Sequence, residues 1–206
     1  MKSVLMVPAL VMLLLLAGPA RAADYRFETT AEGMVKQLQQ PGSRSGKPVL
    51  RTRGVSRSAG KKRLQLRGLT VEEKPGTQAK VTSVTLPDQR VSNFINLAIH
   101  FDVNSYAVAP TSLPLLDELG KALNHSDLKK RVFHVNGHTD ADGSDEYNLK
   151  LSLNRALSVR QYLVSNHAIA SKRLKVMGYG EGLPLQPNTS ARNKQLNRRV
   201  EIMASN

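Results

Sequence analysis

Cysteine and tryptophan are absent from this 206-residue sequence, and aromatic residues of all kinds make up only 4% of it. Without cysteine the chain has no disulfide to stabilise its core, no thiol nucleophile and no N-terminal cysteine for a lipid anchor. The scarcity of aromatic side chains leaves few platforms on which nucleic-acid bases stack. These absences argue against disulfide-stabilised domains, cysteine-dependent enzymes and nucleic-acid-binding proteins.

Acidic residues are also scarce, since 16 Asp and Glu oppose 30 Lys and Arg and give a formal net charge of +14. From Lys36 through Arg67 the sequence is rich in Gly and Ser and contains ten basic residues but no acidic or aromatic residue. Such a segment buries too little apolar surface to offset the entropy lost on ordering. We therefore predict that residues 23–90 form a basic flexible linker, with a short hairpin formed by "RLQLRGLTV" and "AKVTSVTL".

The N-terminus has the pattern of a secretory signal. Lys2 precedes an apolar run over residues 4–17, which is interrupted by Pro8 and followed by an Ala-Arg-Ala motif that ends at Ala22. The run is shorter than the roughly 20 residues that a membrane-spanning helix needs. We expect residues 1–22 to be a signal peptide cleaved near Ala22, with no transmembrane span in the mature chain.

From Phe94 onward, segments with strand and helix patterns alternate. "FINLAIHFDV", "RVFHVNGH", "RLKVMGYG" and "RRVEIMA" have the composition of strands, whereas "TSLPLLDELGKALNH" and "YNLKLSLNRALSVRQYLVSN" carry apolar residues at helical spacing. The order β-α-β-α-β-β predicts a mixed sheet with helices packed on one face, because a helix that connects two strands covers the sheet. We predict an α/β (α+β) two-layer sandwich for residues 91–206.

The second predicted helix carries polar side chains beside its buried face. The apolar side chains fall on one stripe, formed by Leu149, Leu153, Ala156 and Leu163. Asn148 and Arg155 lie next to this stripe, about two helical turns apart. Asp140 ends the preceding strand, and Gly143 permits a tight turn before the helix. The strand end therefore delivers a carboxylate to a helix flank that carries an amide and a guanidinium.

Two interpretations of this arrangement remain open. In the first, Asp140 and Arg155 form an ion pair and neutralise each other. Alternatively, they hold a ligand with both an ammonium and a carboxylate group, an amino-acid head group, with Arg155 binding the carboxylate through two hydrogen bonds. In that case the neighbouring acids Asp142, Asp145 and Glu146 would bias the crevice toward cations.

The remaining motifs favour neither a metal site nor catalysis. His134 and His138 are four residues apart on a predicted strand, which separates them by about 13 Å. "DADGSDE" lacks the glycine and glutamate positions of a calcium-binding EF-hand loop. Asp140 and Glu146, the two carboxyl groups considered as a glycoside-hydrolysing pair, lie in a polar loop and not in the apolar setting that keeps one of them protonated. No serine occupies a nucleophile elbow. We predict no metal, no cofactor and no enzymatic activity.

Four segments resemble, in order and spacing, the signatures of one family of domains. "FDVNS", "NGHTDADGSDEYNLKLSLNRALSVRQYL", "VMGYGEGLP" and "NRRVEI" are similar to the OmpA-like peptidoglycan-binding domain of outer-membrane protein A, peptidoglycan-associated lipoprotein and flagellar motor protein B. The resemblance covers about residues 94 to 204. It implies non-covalent binding of peptidoglycan through the diaminopimelate of the stem peptide. It further implies that the binding residues are Asp140, Arg155, Asn104, Asn148 and Arg198, with Asp102 and Thr139 nearby in the same motifs.

These observations predict a periplasmic, wall-associated protein that anchors part of a Gram-negative cell envelope to peptidoglycan. An alternative function is an envelope scaffold or docking module of a larger assembly, in which the basic linker carries the main interaction. The linker itself is either a solvated spacer or a segment attracted to an envelope protein or an anionic surface. Nucleic acid is not an expected partner.

Overall fold

The computed structural model describes residues 27–39, 67–72, 80–85, 94–101 and 105–205. The predicted signal peptide, most of the predicted basic linker, Asp102 and Asn104 lie outside these ranges. Of the helices that are described, none combines the length and the apolar character needed to cross a lipid bilayer.

The described residues form helices and strands in the order α1-β1-β2-β3-α2-β4-α3-β5-α4-β6, with two short 3-10 turns before α2 and β5. The helices are α1 Ala31–Gln39, α2 Leu113–Asn124, α3 Asp145–His167 and α4 Ala191–Asn197. The strands are β1 Arg67–Glu72, β2 Lys80–Thr85, β3 Phe94–Leu97, β4 Phe133–Gly137, β5 Leu174–Gly178 and β6 Val200–Ala204.

The strands form one mixed sheet in the order β2-β1-β5-β4-β6-β3. β4 and β5 are parallel neighbours, because α3 connects them and returns the chain to the same end of the sheet. The other described pairings are antiparallel. The carboxyl ends of β4 and β5 therefore lie side by side at one end of the sheet.

The core lies between the sheet and the helices α1, α2 and α3 on one of its faces, which confirms the predicted two-layer sandwich. Of the predicted stripe on α3, Leu153, Ala156 and Leu163 are buried, whereas Leu149 is only half-buried. The reason is that the first turns of α3 face the sheet through their backbone. A Cβ atom at Gly178 of β5 would lie 2.8 Å from the carbonyl oxygen of Leu149.

Helix α1 corrects part of the linker prediction. Its residues lie within the predicted flexible segment, yet Met34 and Leu38 are fully buried in the core and Val35 is nearly so. The backbone N–H of Ala31 donates to Glu118 of α2, and Arg131 donates to the carbonyl oxygen of Leu38. A short apolar stripe thus orders this helix, although the surrounding composition is polar and basic.

Strands β1 and β2 extend the sheet beyond the four strands predicted from Phe94 onward. They pair antiparallel, in the segment where the sequence suggests a hairpin, and β1 also pairs with β5. The Thr70 hydroxyl adds a hydrogen bond of 2.9 Å to the carbonyl oxygen of Val176. The folded unit therefore includes described residues on the N-terminal side of residue 91.

We expect Leu38→Ala to lower the free energy of unfolding by about 2–5 kcal/mol, the range found when a fully buried leucine is truncated. Gln37→Ala, an exposed position on the same helix, is the matched control and should change it by less than about 0.5 kcal/mol. Urea denaturation followed by circular dichroism measures both. Equal, small effects would show that α1 does not contribute to the stability of the core.

Candidate ligand-binding crevice

A crevice opens where β4 and β5 end, and the chain beyond β4 forms its floor. The N–H of His138 donates to the carbonyl oxygen of Arg199, and the N–H of Thr139 donates to that of Gly180. Both bonds continue the sheet past Gly137 and hold Asp140 at its rim. Gly143 then adopts a φ of 100°, in the left-handed region that favours glycine, and turns the chain into α3.

The crevice has a volume of about 430 Å³. Five predicted site residues line it together: Thr139, Asp140, Asn148, Arg155 and Arg198. Asp142, which the sequence analysis placed next to the site, also lines it. Sequence reasoning did not single out the other lining residues, which are Ile99, His100, Phe101, Tyr147, Leu151 and Gln195. The predicted residues Asp102 and Asn104 belong to the undescribed stretch that follows Phe101.

Asp140 is nearly buried and is held from two sides. Its Oδ2 atom accepts a hydrogen bond of 2.5 Å from Nη1 of Arg198, which follows α4. Its Oδ1 atom accepts one of 3.1 Å from the backbone N–H of Asp142. The carboxylate is therefore fixed in orientation, and its partner among the described residues is Arg198 rather than Arg155.

Arg155 is 5% exposed. Its Nε–H donates to the carbonyl oxygen of Ser105 at 3.2 Å, and its guanidinium carbon lies 4.9 Å from the centre of the Phe101 ring. No ion pair joins it to a carboxylate in the part of the chain that is described. Burial lowers the pKa of Arg155 from its ordinary value, the charge of Arg198 lowers it further, and Asp140 and Tyr147 act in the opposite direction. The guanidinium stays charged in proteins, so among the described residues Arg155 is a buried cation without an ion-pair partner.

The cluster of acids that precedes α3 is matched by cations. Asp142 forms an ion pair of 2.6 Å with Lys194 of α4, and Glu146 one of 2.7 Å with Lys150. The expectation that these acids bias the crevice toward cations is therefore wrong for Asp142 and Glu146. Helix α4, which the sequence did not reveal, supplies the countercharge for Asp142.

Asn148 holds the loop that carries Asp140. Its Nδ2 group donates to the carbonyl oxygens of Asp140 at 3.3 Å and of Asp142 at 3.0 Å, and to Oε2 of Glu181 at 2.7 Å. The predicted site residue Asn148 thus positions the loop as well as lining the crevice. Sequence reasoning did not single out Glu181 as a partner of Asn148.

Several buried polar groups lie close to the crevice without a partner among the described residues. They are the Thr139 hydroxyl and both ring nitrogens of His138. The His138 ring stacks on Tyr179, with 5.2 Å between ring centres. Burial, and then the charge of Arg199, hold the pKa of His138 well below its ordinary value. His138 is therefore a neutral ring packed in the structure, and no group of three or more potential metal ligands occurs in the described ranges.

The structure combines a mixed sheet, helices on one face and a polar crevice at the carboxyl ends of its parallel strands. Residues 100–198 match the model of the OmpA family, which confirms the resemblance. Among relatives, Outer membrane porin F of Pseudomonas aeruginosa is 33% identical over 133 residues, which is 64% of this chain and 37% of that protein. Outer membrane protein A of Bordetella avium is 36% identical over 107 residues, which is 52% of this chain and 54% of that protein. The chain thus spans between a third and about half the length of these relatives.

Solved structures share the fold. The periplasmic domain of Helicobacter pylori MotB (residues 78-256) superposes with a TM-score of 0.50 at 24% identity, over 60% of this chain and 80% of that one. The peptidoglycan-associated lipoprotein from Burkholderia pseudomallei aligns with a TM-score of 0.47 at 27% identity, over 52% of this chain and 88% of that one.

We expect Asn148→Ala to lower the free energy of unfolding by about 1–3 kcal/mol, because the buried carbonyl oxygen of Asp140 and the half-buried carboxylate of Glu181 lose this donor. Asn154→Ala, on the same helix, removes an amide for which no hydrogen bond is found in the described part of the chain, and should change stability by less than about 0.5 kcal/mol. Chemical denaturation compares the two variants. Equal losses would show that Asn148 does not hold the loop.

Proposed function

We propose that this chain binds peptidoglycan non-covalently through the diaminopimelate of the stem peptide and so anchors part of the cell envelope to the wall. The observation that carries the proposal is the separation of charges in one small crevice. Asp140 and Arg155 are both almost fully buried and both line it, yet Asp140 is paired with Arg198 and not with Arg155. A buried cation without a partner is costly unless an anion completes it.

The ligand that fits this arrangement carries an ammonium and a carboxylate on the same carbon atom. Its carboxylate would accept two hydrogen bonds from the terminal nitrogens of Arg155, whose Nε–H is already used by Ser105. Its ammonium would lie against the carboxylate of Asp140 and share it with Arg198. The distal amino-acid group of diaminopimelate has this chemistry, and the match to the OmpA family supports the same ligand.

The charge balance further favours a ligand with an acidic group. Of the charged side chains that line the crevice, Arg155 and Arg198 are basic and Asp140 and Asp142 are acidic, but Asp142 is already neutralised by Lys194. Among its described lining residues, the crevice therefore has one positive charge in excess until a carboxylate enters it.

The same contacts argue for binding rather than catalysis. A glycosidase needs a carboxyl group that stays protonated in an apolar environment. Asp140 and Asp142 instead lie beside the cations Arg198 and Lys194, with which they form ion pairs, and not in an apolar environment. We place the protein in the periplasm and regard the wall site as its anchor; residues 91–206 remain the proposed binding domain.

Co-sedimentation with purified peptidoglycan sacculi tests the proposal. Wild-type protein should sediment at high salt and be released by free diaminopimelate. Arg155→Ala and Asp140→Asn should each weaken binding by about 10-fold to 150-fold, because a hydrogen bond to a charged partner contributes roughly 1.5–3 kcal/mol. Arg192→Ala, which removes an exposed arginine that does not line the crevice, is the matched control and should bind as the wild type does.

Circular dichroism of each variant shows whether it is folded, and Arg155→Lys provides a second test because lysine keeps the charge but not the paired donors. If folded Arg155→Ala and Asp140→Asn variants sediment like the wild type and salt releases all of them, the crevice is not the wall site. The interaction would then be charge-driven adsorption by the basic residues.

A further inference from the structure

Four exposed lysines lie at the end of the sheet opposite the crevice. Lys129 and Lys130 belong to the turn before β4, Lys172 to the 3-10 turn before β5, and Lys175 to β5 itself. We call these four residues the basic end. β4 and β5 are parallel, so both strands begin at the basic end and finish at the crevice.

The segments that carry these lysines are fixed to one another. The guanidinium of Arg173 donates to the carbonyl oxygens of Leu123, Leu128 and Arg131, at distances between 2.7 and 3.1 Å. This arginine joins the turn containing Lys129 to the one containing Lys172. Arg131 in turn donates to the carbonyl oxygen of Leu38 at the end of α1. The lysines therefore project from a rigid platform.

The four lysines have no acidic partner among the side chains that the structure describes. None of the four lysines forms an ion pair or a hydrogen bond through its ammonium group there. Asp127 is the acid of the same turn, and it accepts hydrogen bonds from Gln39 and Ser126 and lies 3.6 Å from His125. Lys175 is opposite His134 in the register, where burial and then the charge of Lys175 lower the pKa of His134.

The residue types distinguish between anionic partners. The planar guanidinium of arginine donates two hydrogen bonds to a single phosphate, whereas the ammonium of lysine acts as a hydrated point charge. At the basic end, the guanidinium of Arg173 is already hydrogen-bonded to backbone carbonyl oxygens. The exposed cations there are lysines. Lysines that are spread over a surface, with no cavity between them and no arginine that donates paired hydrogen bonds, suit a partner that carries many charges, such as a membrane with anionic lipids.

Helix α1 ends at the same end of the sheet. Gln39, its last residue, is hydrogen-bonded to Asp127 at the basic end. We propose that the basic end docks on an anionic membrane surface while the crevice, at the other end of the sheet, stays accessible. The two ends are separated by about 20 Å, which is the length of the extended chain from His134 in β4 to Asp140 just beyond it.

Co-sedimentation of the whole chain with lipid vesicles tests this proposal. Phosphatidylglycerol-containing vesicles should bind the wild type at low salt, and pure phosphatidylcholine vesicles should not. Each of two double variants, Lys129→Gln with Lys130→Gln and Lys172→Gln with Lys175→Gln, should weaken binding by about tenfold or more, since each basic residue near an anionic membrane contributes roughly fivefold. The matched control, Lys150→Gln with Arg192→Gln, removes the same charge elsewhere and should lose much less.

Two results would overturn the proposal. Equal losses in all three double variants would show that net charge or residues 40–66 alone govern binding. If the two lysine double variants lose binding to soluble polyphosphate but still bind vesicles, the basic end is a site for a soluble polyanion and not for a membrane. Sacculus binding by the lysine variants is measured in parallel and should be unchanged, so the result does not depend on the wall site.

Discussion

The close approach of α3 to the ends of β4 and β5 determines the rest of the site. A Cβ atom at Gly137 would lie 2.0 Å from the carbonyl oxygen of Ser152, so a larger residue at this position forces the helix away from the sheet. Because the helix is in direct contact with the sheet backbone, its flank faces the strand end closely enough for Asn148 to hydrogen-bond the loop of Asp140. The same approach brings Arg155, on the flank of α3, into the crevice that the Asp140 carboxylate also lines.

This packing explains why opposite charges lie close together without neutralising each other. Arg155 is held by Ser105 and the ring of Phe101, whereas Asp140 is held by Arg198 and the N–H of Asp142. Each side chain is oriented by its own contacts, so neither has to reorganise before a ligand binds. Preorganisation of this kind lowers the entropic cost of association.

Much of the fold and of the site follows from local patterns in the sequence. Leu153, Ala156 and Leu163 repeat at helical spacing and are buried, and the sequence placed Arg155 beside them and Asp140 at the strand end. Helix α4 was missed because its seven residues, "ARNKQLN", carry no apolar stripe; it is ordered instead by a Ser190 cap and by side-chain bonds to its flanking loop. Helix α1 was missed because its few apolar residues stand in a polar segment and become buried only through contact with α2 and β3. The partners of Asp140 and Asp142 depend on α4, so they could not be read from sequence spacing.

The central claim is that the crevice recognises the free ammonium and carboxylate at the end of diaminopimelate. Isothermal titration calorimetry with two stem tripeptides tests it directly, one ending in diaminopimelate and the other in lysine, which keeps the distal ammonium but lacks the distal carboxylate. The account predicts that the diaminopimelate peptide binds at least about tenfold more tightly, since the carboxylate adds charged hydrogen bonds to Arg155. Equal affinity for the two peptides would contradict it, because Arg155 would then not be reading the carboxylate.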